Sequence, residues 1–257
     1  MPDARPVTTL IVPCFDEAGR LDPAPFLAFV DAHPEVRLLF VDDGSADDTL
    51  AVLQGMAAER PDQLDVLALA PNRGKAEAVR RGMLHVLAGD TAYVGYWDAD
   101  LATPLAFVPD FVRLLVERPR LEMVLGARVK LLGREVQRRP LRHYFGRVAA
   151  TMASWLLGLP VYDTQCGAKL LRVGPGTAAL FAEPFSTRWA FDVELLARWR
   201  GQHPGVAGEA AGDFLVEVPL LRWLDVHGSK VKATDLLRAP WDLLRIAWRY
   251  RRELARG

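Results

Sequence analysis

Cysteine is almost missing from this sequence: Cys14 and Cys166 are the two it has. They stand far apart and fit no C-x-x-C spacing, which argues against a disulfide framework or a cysteine-rich zinc site and leaves two reduced thiols. An excess of one charge is missing too. Lys plus Arg and Asp plus Glu each number 32, so no global field draws the chain to nucleic acid, and any electrostatic targeting is local. Long hydrophobic runs are also wanting. The longest nearly uncharged apolar stretch, Val148 to Val161, falls short of the ~20 residues that cross a bilayer. Met1 to Pro6 has no apolar signal core, and the expectation is a cytoplasmic protein. The five histidines have no metal-ligand spacing, and Ala76 after Lys75 rules out a Walker-type phosphate loop. Repeats and low-complexity tracts are absent.

What is present is an ordinary globular composition, 51% hydrophobic and 25% charged over 257 residues, enough to bury one large core, and one domain is expected. Thr8 to Val12 is a continuous apolar run ended by Pro13, the pattern of a buried parallel strand. Leu38 to Val41, Leu64 to Leu69 and Thr91 to Trp97 repeat the pattern, with helices expected over Pro23 to His33, Thr49 to Arg60 and from Lys75 to about Ala88. Asp47 or Asp48 is placed to cap the second of these. Strands alternating with helices predict an α/β domain with a mostly parallel sheet. Ligands of such sheets sit beyond the carboxyl ends of the strands. Glu17, Asp42, Asp43, Lys75, Asp98 and Asp100 all follow strand ends, so one crevice is expected to collect them.

The centre of that crevice is Asp98-Ala99-Asp100. In extended backbone, residues i and i+2 point the same way, so the two carboxylates can meet one hard cation, Mg²⁺ or Mn²⁺. Lys75 beside Gly74 supplies a point charge for phosphates. Farther on, the pattern predicts a helix over Pro104 to Arg118 and a strand over Leu121 to Ala127. A long amphipathic helix is expected from Arg138 to Leu159, with Leu141, Phe145, Val148, Met152 and Trp155 on one side. A strand over Gln165 to Val173, a helix over Trp189 to Arg200, an edge strand over Phe214 to Val218 and a terminal helix over Thr234 to Arg252 complete the reading. Gly201 to Gly212 is expected to be a surface loop, and Gly174 to Ala179, despite its G-x-G-x-x-A string, a plain turn.

Pro13 to Leu21, Val41 to Ser45, Asn72 to Lys75 and Asp98 to Asp100 together resemble the nucleotide-sugar half of glycosyltransferase family 2, which has the GT-A fold. Asp163-Thr164-Gln165-Cys166-Gly167-Ala168-Lys169, Arg188-Trp189-Ala190-Phe191-Asp192-Val193-Glu194 and Gly228-Ser229-Lys230 resemble its dolichyl-phosphate β-glucosyltransferase branch. The resemblance runs from about Thr8 to Leu244. It implies an inverting, metal-dependent transferase using a UDP-sugar donor and a polyprenyl phosphate acceptor. By position it puts Pro13, Glu17, Asp42, Asn72, Lys75 and Asp98 around the nucleotide, makes Asp100 the principal metal ligand, and sets Gln165, Cys166, Gly167 and Lys169 beside sugar and acceptor. The chain then divides into a nucleotide-sugar half at about 1–103, an acceptor half at about 104–233 and a C-terminal amphipathic helix. Cys14-Phe15-Asp16 departs from the family's usual aromatic followed by Asn, and the N-terminal membrane anchor of eukaryotic members has no counterpart in the sequence.

The acceptor has a physical signature of its own. A phosphate monoester is largely dianionic at neutral pH and attacks without a general base, whereas a sugar hydroxyl needs a carboxylate in reach. Asp192 and Glu194 are the candidates for that base. Cations for a lipid phosphate are offered by Arg128, Arg139, Arg142 and Arg147, in a basic stretch leading into the long helix, and by Ser229-Lys230. Leu237, Trp241, Leu244 and Trp248 recur at helical spacing beside Arg238, Arg245 and Arg249, as in a helix lying on the inner face of a membrane. The leading expectation is therefore transfer of a hexose, with glucose the favoured sugar, to a polyprenyl phosphate. The alternatives are a family 2 transferase acting on a hydroxyl, a nucleotidyltransferase, and a binding or membrane-scaffolding protein without activity.

Overall fold

The computed structural model describes residues 7–137, 140–224 and 233–255, with backbone alone over 136–137, 140–146 and 233–237. Its centre is a seven-stranded sheet. The first half alternates as the apolar runs predict: β1 (Thr8–Cys14), α1 (Pro23–Ala32), β2 (Val36–Asp42), α2 (Thr49–Glu59), β3 (Leu64–Ala68), α3 (Lys75–Val86) and β4 (Tyr93–Trp97). After β4 come α4 (Val108–Glu117), β5 (Met123–Ala127), β6 (Glu135–Gln137), α5 (Pro140–Leu157), β7 (Ala168–Arg172) and α6 (Thr177–Ala182). The chain finishes with α7 (Phe191–Gln202), β8 (Leu215–Pro219), β9 (Arg222–Leu224), α8 (Ala233–Arg249) and a last turn, α9 (Arg251–Leu254).

The strand order is β3-β2-β1-β4-β7-β5-β8. β3, β2, β1 and β4 run parallel, and β8 runs parallel to β5 at the expected edge. β7 is the exception. It enters between β4 and β5 and runs antiparallel to both, so its amino end lies beside the carboxyl end of β4. That one reversal brings the loop before β7 to the crevice at the strand tips.

Alternate strand residues feed two cores, as expected of a sheet covered on both faces. Leu10, Val12, Leu38, Phe40 and Trp97 pack with Phe26, Leu53 and Phe111 from α1, α2 and α4. Ile11, Val41, Val94 and Tyr96 pack with Val79, Ala153, Phe191, Leu195 and Ile246 from α3, α5, α7 and α8. Gly82 sits where α3 crosses β1 and β2; a Cβ there would come within 2.7 Å of the Ile11 side chain.

The expected stripe Val148, Met152 and Trp155 does share one side of α5 and faces outward, while Ala150, Ala153 and Leu157 make the inward face. Two expectations need correction. The small parallel pair β6–β9 and the helix α6 lie where no element was expected. Gly201 to Gly212 is not wholly irregular, since its end winds into a short 3₁₀ turn over Gly208–Asp213.

Candidate active site

The tips of β1, β2, β3 and β4 and the loop before β7 converge. At β1, Pro13 lies level with Val41 of β2. Glu17 follows, nearly buried, with its backbone N–H on the Thr49 hydroxyl at 2.7 Å. Arg20, which sequence reasoning passed over, clasps the Glu17 carboxylate, with Nη2 at 2.6 Å from Oε1, and faces Asp98 and Asp100 across the crevice. That bond, helped by the charges of Glu17, Asp100 and Asp98, holds its guanidinium above its ordinary value despite burial. The i, i+3 spacing of Glu17 and Arg20 was the available signal.

Asp42 and Asp43 at the tip of β2 are both buried. Asp42 accepts from the Ser45 hydroxyl and from its N–H at 3.3 Å. Asp43 accepts from Arg73 N at 3.0 Å, Gly74 N at 2.6 Å and Asn72 Nδ2 at 2.9 Å. Burial pushes Asp43 above the usual carboxylate value, with the Arg73 and Gly74 N–H groups pulling it back. These two acids thus shape the turns that follow β2 and β3. Asp47 bonds Thr49 N at 3.0 Å and Ala18 N at 3.1 Å, tying the β1 loop to the head of α2, while Asp48, the N-cap, makes no side-chain cap bond.

Gly74, at φ +95°, turns the chain into α3 and delivers Lys75 to Asp98, with which it forms an ion pair. Burial pulls Lys75 down, but the charges of Asp98 and Asp192 outweigh it and leave the ammonium above its ordinary value. Asp98, Ala99 and Asp100 lie in a turn and not in the extended backbone expected for them; Leu101 at φ +49° closes it. The two carboxylates still crowd each other: burial, then the charge of Asp98, pushes Asp100 upward, against the Ala102 N–H, Lys75 and Arg20. A mutually repelling pair of hard oxygen donors fits Mg²⁺ or Mn²⁺. Among the described residues no cluster of three His, Cys, Asp or Glu side chains is placed to hold a metal, so the remaining ligands would come from phosphate oxygens and water.

The loop before β7 presses on the same place. Asp98 N donates to Gly167 O at 3.1 Å, and a Cβ at Gly167 would fall on the Asp98 carboxylate. Gln165 keeps a buried Nε2 without a partner among the described residues. Cys166 and Lys169, expected beside the acceptor, have no exposed surface. Lys169 Nζ is spent on Thr164 O at 3.0 Å, Cys166 O at 2.8 Å and the Asp192 carboxylate. Burial pushes the Cys166 thiol up to about 11.

Both expected bases carry internal bonds, those of Asp192 falling on Oδ1. Asp192 accepts from Lys169 and from the hydroxyl of Tyr96, whose own pKa burial and Asp192 raise well above the ordinary value. Tyr96 stands two residues before Asp98 on β4, which the strand period could have flagged. Glu194 is fully buried, and both its oxygens accept bonds, from Ser186, Arg198 and Tyr250. Of the arginines expected to meet an acceptor, Arg128 is clamped by Asp163 through Nε and Nη2, both at 2.7 Å, and lies 5.3 Å from the centre of the Trp223 ring. Arg147 lies 3.7 Å over the Tyr162 ring and donates to Tyr162 O at 3.1 Å. Arg139, Ser229, Lys230 and the side chain of Arg142 lie outside the described residues.

The family model for glycosyl transferase family 2 matches residues 9–185. The chain belongs to glycosyltransferase family 2. A dolichyl-phosphate beta-glucosyltransferase of Trichomonas vaginalis is 30% identical over 95% of this chain and 72% of its own length. The enzyme of that name from Mus musculus is 30% identical over 94% and 75%. Among solved structures, glucosyl-3-phosphoglycerate synthase from Mycobacterium tuberculosis superposes with a TM-score of 0.65 at 18% identity, covering 95% of this chain and 80% of that one. The same synthase in complex with Mn²⁺, UDP and glucosyl-3-phosphoglycerate superposes at 0.63. The fold of this glycosyltransferase is GT-A.

Proposed function

We propose that this family 2 glycosyltransferase moves a hexose, glucose, from a UDP-sugar to a polyprenyl phosphate at a membrane surface, with inversion. The observation that carries the reading is a donor crevice with two neighbouring carboxylates and a lysine, beside which both oxygens of Glu194 are taken by internal partners and Asp192 is held through Oδ1 by Lys169 and Tyr96. A hydroxyl acceptor needs a general base; a phosphate does not. The relatives named dolichyl-phosphate beta-glucosyltransferase support the acceptor class, and the neighbour crystallised with Mn²⁺ and UDP supports the donor.

Asp98 and Asp100 would hold Mg²⁺ or Mn²⁺, which supplies Lewis-acid stabilisation of the leaving diphosphate when bound. Lys75, kept cationic, adds a fixed positive charge at the same place. Arg20 positions Glu17 and faces the two acids. Arg128 and Arg147 line the approach from the acceptor side and offer their remaining N–H groups to a phosphate.

The membrane is supported by a surface built from two helices. α5 exposes Val148, Met152 and Trp155, and the adjoining α8 exposes Trp241, Leu244 and Trp248. Helices apolar on a second, outward face call for an apolar medium there. Arg238, Arg245 and Arg249 flank the patch, suited to anionic headgroups. No helix among the described residues is long and apolar enough to cross a membrane, so the contact would be peripheral.

Purified protein given UDP-glucose, Mn²⁺ and a short polyprenyl phosphate should yield a lipid-linked glucose. Product with a sugar hydroxyl acceptor and none with any prenyl phosphate would overturn the acceptor assignment.

A further inference from the structure

The segment Arg188 to Glu194 carries a conspicuous motif, yet neither Arg188 nor Glu194 has a place in the chemistry above. Arg188 reaches across from the loop before α7 and donates from Nη2 to Asn72 Oδ1 at 3.0 Å. The Nε–Nη2 edge of its guanidinium lies against Gly74: a Cβ there would stand 2.7 Å from Nε, 3.1 Å from Nη2 and 3.3 Å from Cζ. Gly74 is thus required twice, for its φ of +95° and for the room it leaves a cation. Arg188 also lowers Asp43 through its charge, though less than burial raises it. Only Nη2 is spent on a protein acceptor among the described residues, so the other N–H groups are available beside the turn that leads to Lys75.

The loop carrying Arg188 is anchored from beneath. Ser186 donates through N and Oγ to Glu194 Oε2, both at 2.7 Å. Glu194 Oε1 accepts from Arg198 at 3.0 Å and Tyr250 at 2.8 Å. Arg198 also donates to the carbonyls of Leu180, Glu183 and Pro184. Such investment in holding an exposed arginine exceeds what a solvated surface charge requires. Next to it, Thr187 keeps a hydroxyl that is buried and has no partner among the described residues.

We infer that Arg188 binds the nucleotide-sugar, contributing a cation over the Asn72–Gly74 turn for its diphosphate, and that Glu194 is the residue that positions it. This rests on the reading of the crevice as a UDP-sugar site. Arg188→Ala is expected to weaken UDP-glucose binding, measured by calorimetry with Mn²⁺ present, by about tenfold or more, the scale of a charged hydrogen bond. Arg188→Lys keeps the charge but loses the fork and should fall between. The KM for a short prenyl phosphate should stay as it was, and so should the melting temperature, since the side chain is exposed.

Glu194→Gln should weaken donor binding while leaving the shape of the pH–rate profile intact. A general base would behave in the opposite way, losing the acidic limb of the profile with donor affinity retained, and that result would overturn the positioning role. If Glu194→Gln fails to fold, Ser186→Ala, which removes one donor to the same oxygen, carries the same test with a smaller loss. Unchanged donor affinity in a well-folded Arg188→Ala overturns the inference and leaves the UDP-sugar reading standing. A wild-type chain that binds no UDP-glucose removes both.

Discussion

The Asp98 carboxylate fills the space that a side chain at Gly167 would need, and the consequence belongs to single residues. A methyl at 167 must displace a carboxylate proposed to hold metal, so Gly167→Ala should cost about 1–3 kcal/mol by overpacking and lower kcat/KM at least about tenfold, read by thermal melts and steady-state rates. Asp100→Asn should lose roughly two orders of magnitude or more in turnover, the order of removing one electrostatic group from an active site, with Mn²⁺ binding weakened in parallel. Cys166 gives a pH prediction. Its thiol titrates at about 11 in the fold against an ordinary 9.0, so between those values the unfolded chain has lost a proton the native chain keeps. Stability therefore falls as pH rises from 9 to 11, by up to about 1.4 kcal/mol per unit. The slope should shrink in Cys166→Ala, measured by denaturant melts across that range. Thiol titration at pH 8 should find neither Cys14 nor Cys166 reactive until the chain is unfolded, because both are buried. Residue roles were only partly legible. The acids and Lys75 announce themselves by following strand ends, but the commitment of Asp192 to Lys169 and Tyr96 depends on β7 lying next to β4, which nothing local encodes.

At the scale of elements, α5 and α8 carry the clearest lesson about patterning. A stripe at i, i+3, i+4 and i+7 marks one face of a helix but not which way it faces. In α5 Val148, Met152 and Trp155 point out while Ala150, Ala153 and Leu157 point in, the two alanines letting the helix pack closely on α7 and α8. Replacing Trp241 and Trp248 together by Glu should leave the melting temperature nearly unchanged, as exposed positions do. It should reduce sedimentation with anionic vesicles by tenfold or more. Equal vesicle binding would detach this face from any lipid role. The four leading strands were legible because buried parallel strands are continuous apolar runs. β6 and β9 were not, being three residues each and paired across some 85 positions of sequence.

At the scale of the whole molecule, a ligand that binds only the folded chain raises its melting point. UDP with Mn²⁺ at about a hundred times its dissociation constant should add ~2.7 kcal/mol and several degrees, and a chelator should remove most of that gain. The α/β outline with a mostly parallel sheet was legible from the rhythm of runs and helices, and its GT-A form from the resemblance of the motifs, whereas the reversal of β7 was not, since an antiparallel insertion leaves the apolar pattern of a central strand unaltered.

The antiparallel neighbour of β4 also decides whether the chain can be cut in two. A fragment stopping near residue 103 would leave Tyr93–Trp97 as a raw border, its amides bare and its Tyr and Trp side chains uncovered, an invitation to stack against other copies. The donor-side piece expressed alone should accumulate in the insoluble fraction, and supplying the remainder of the chain in the same cell should return it to solution.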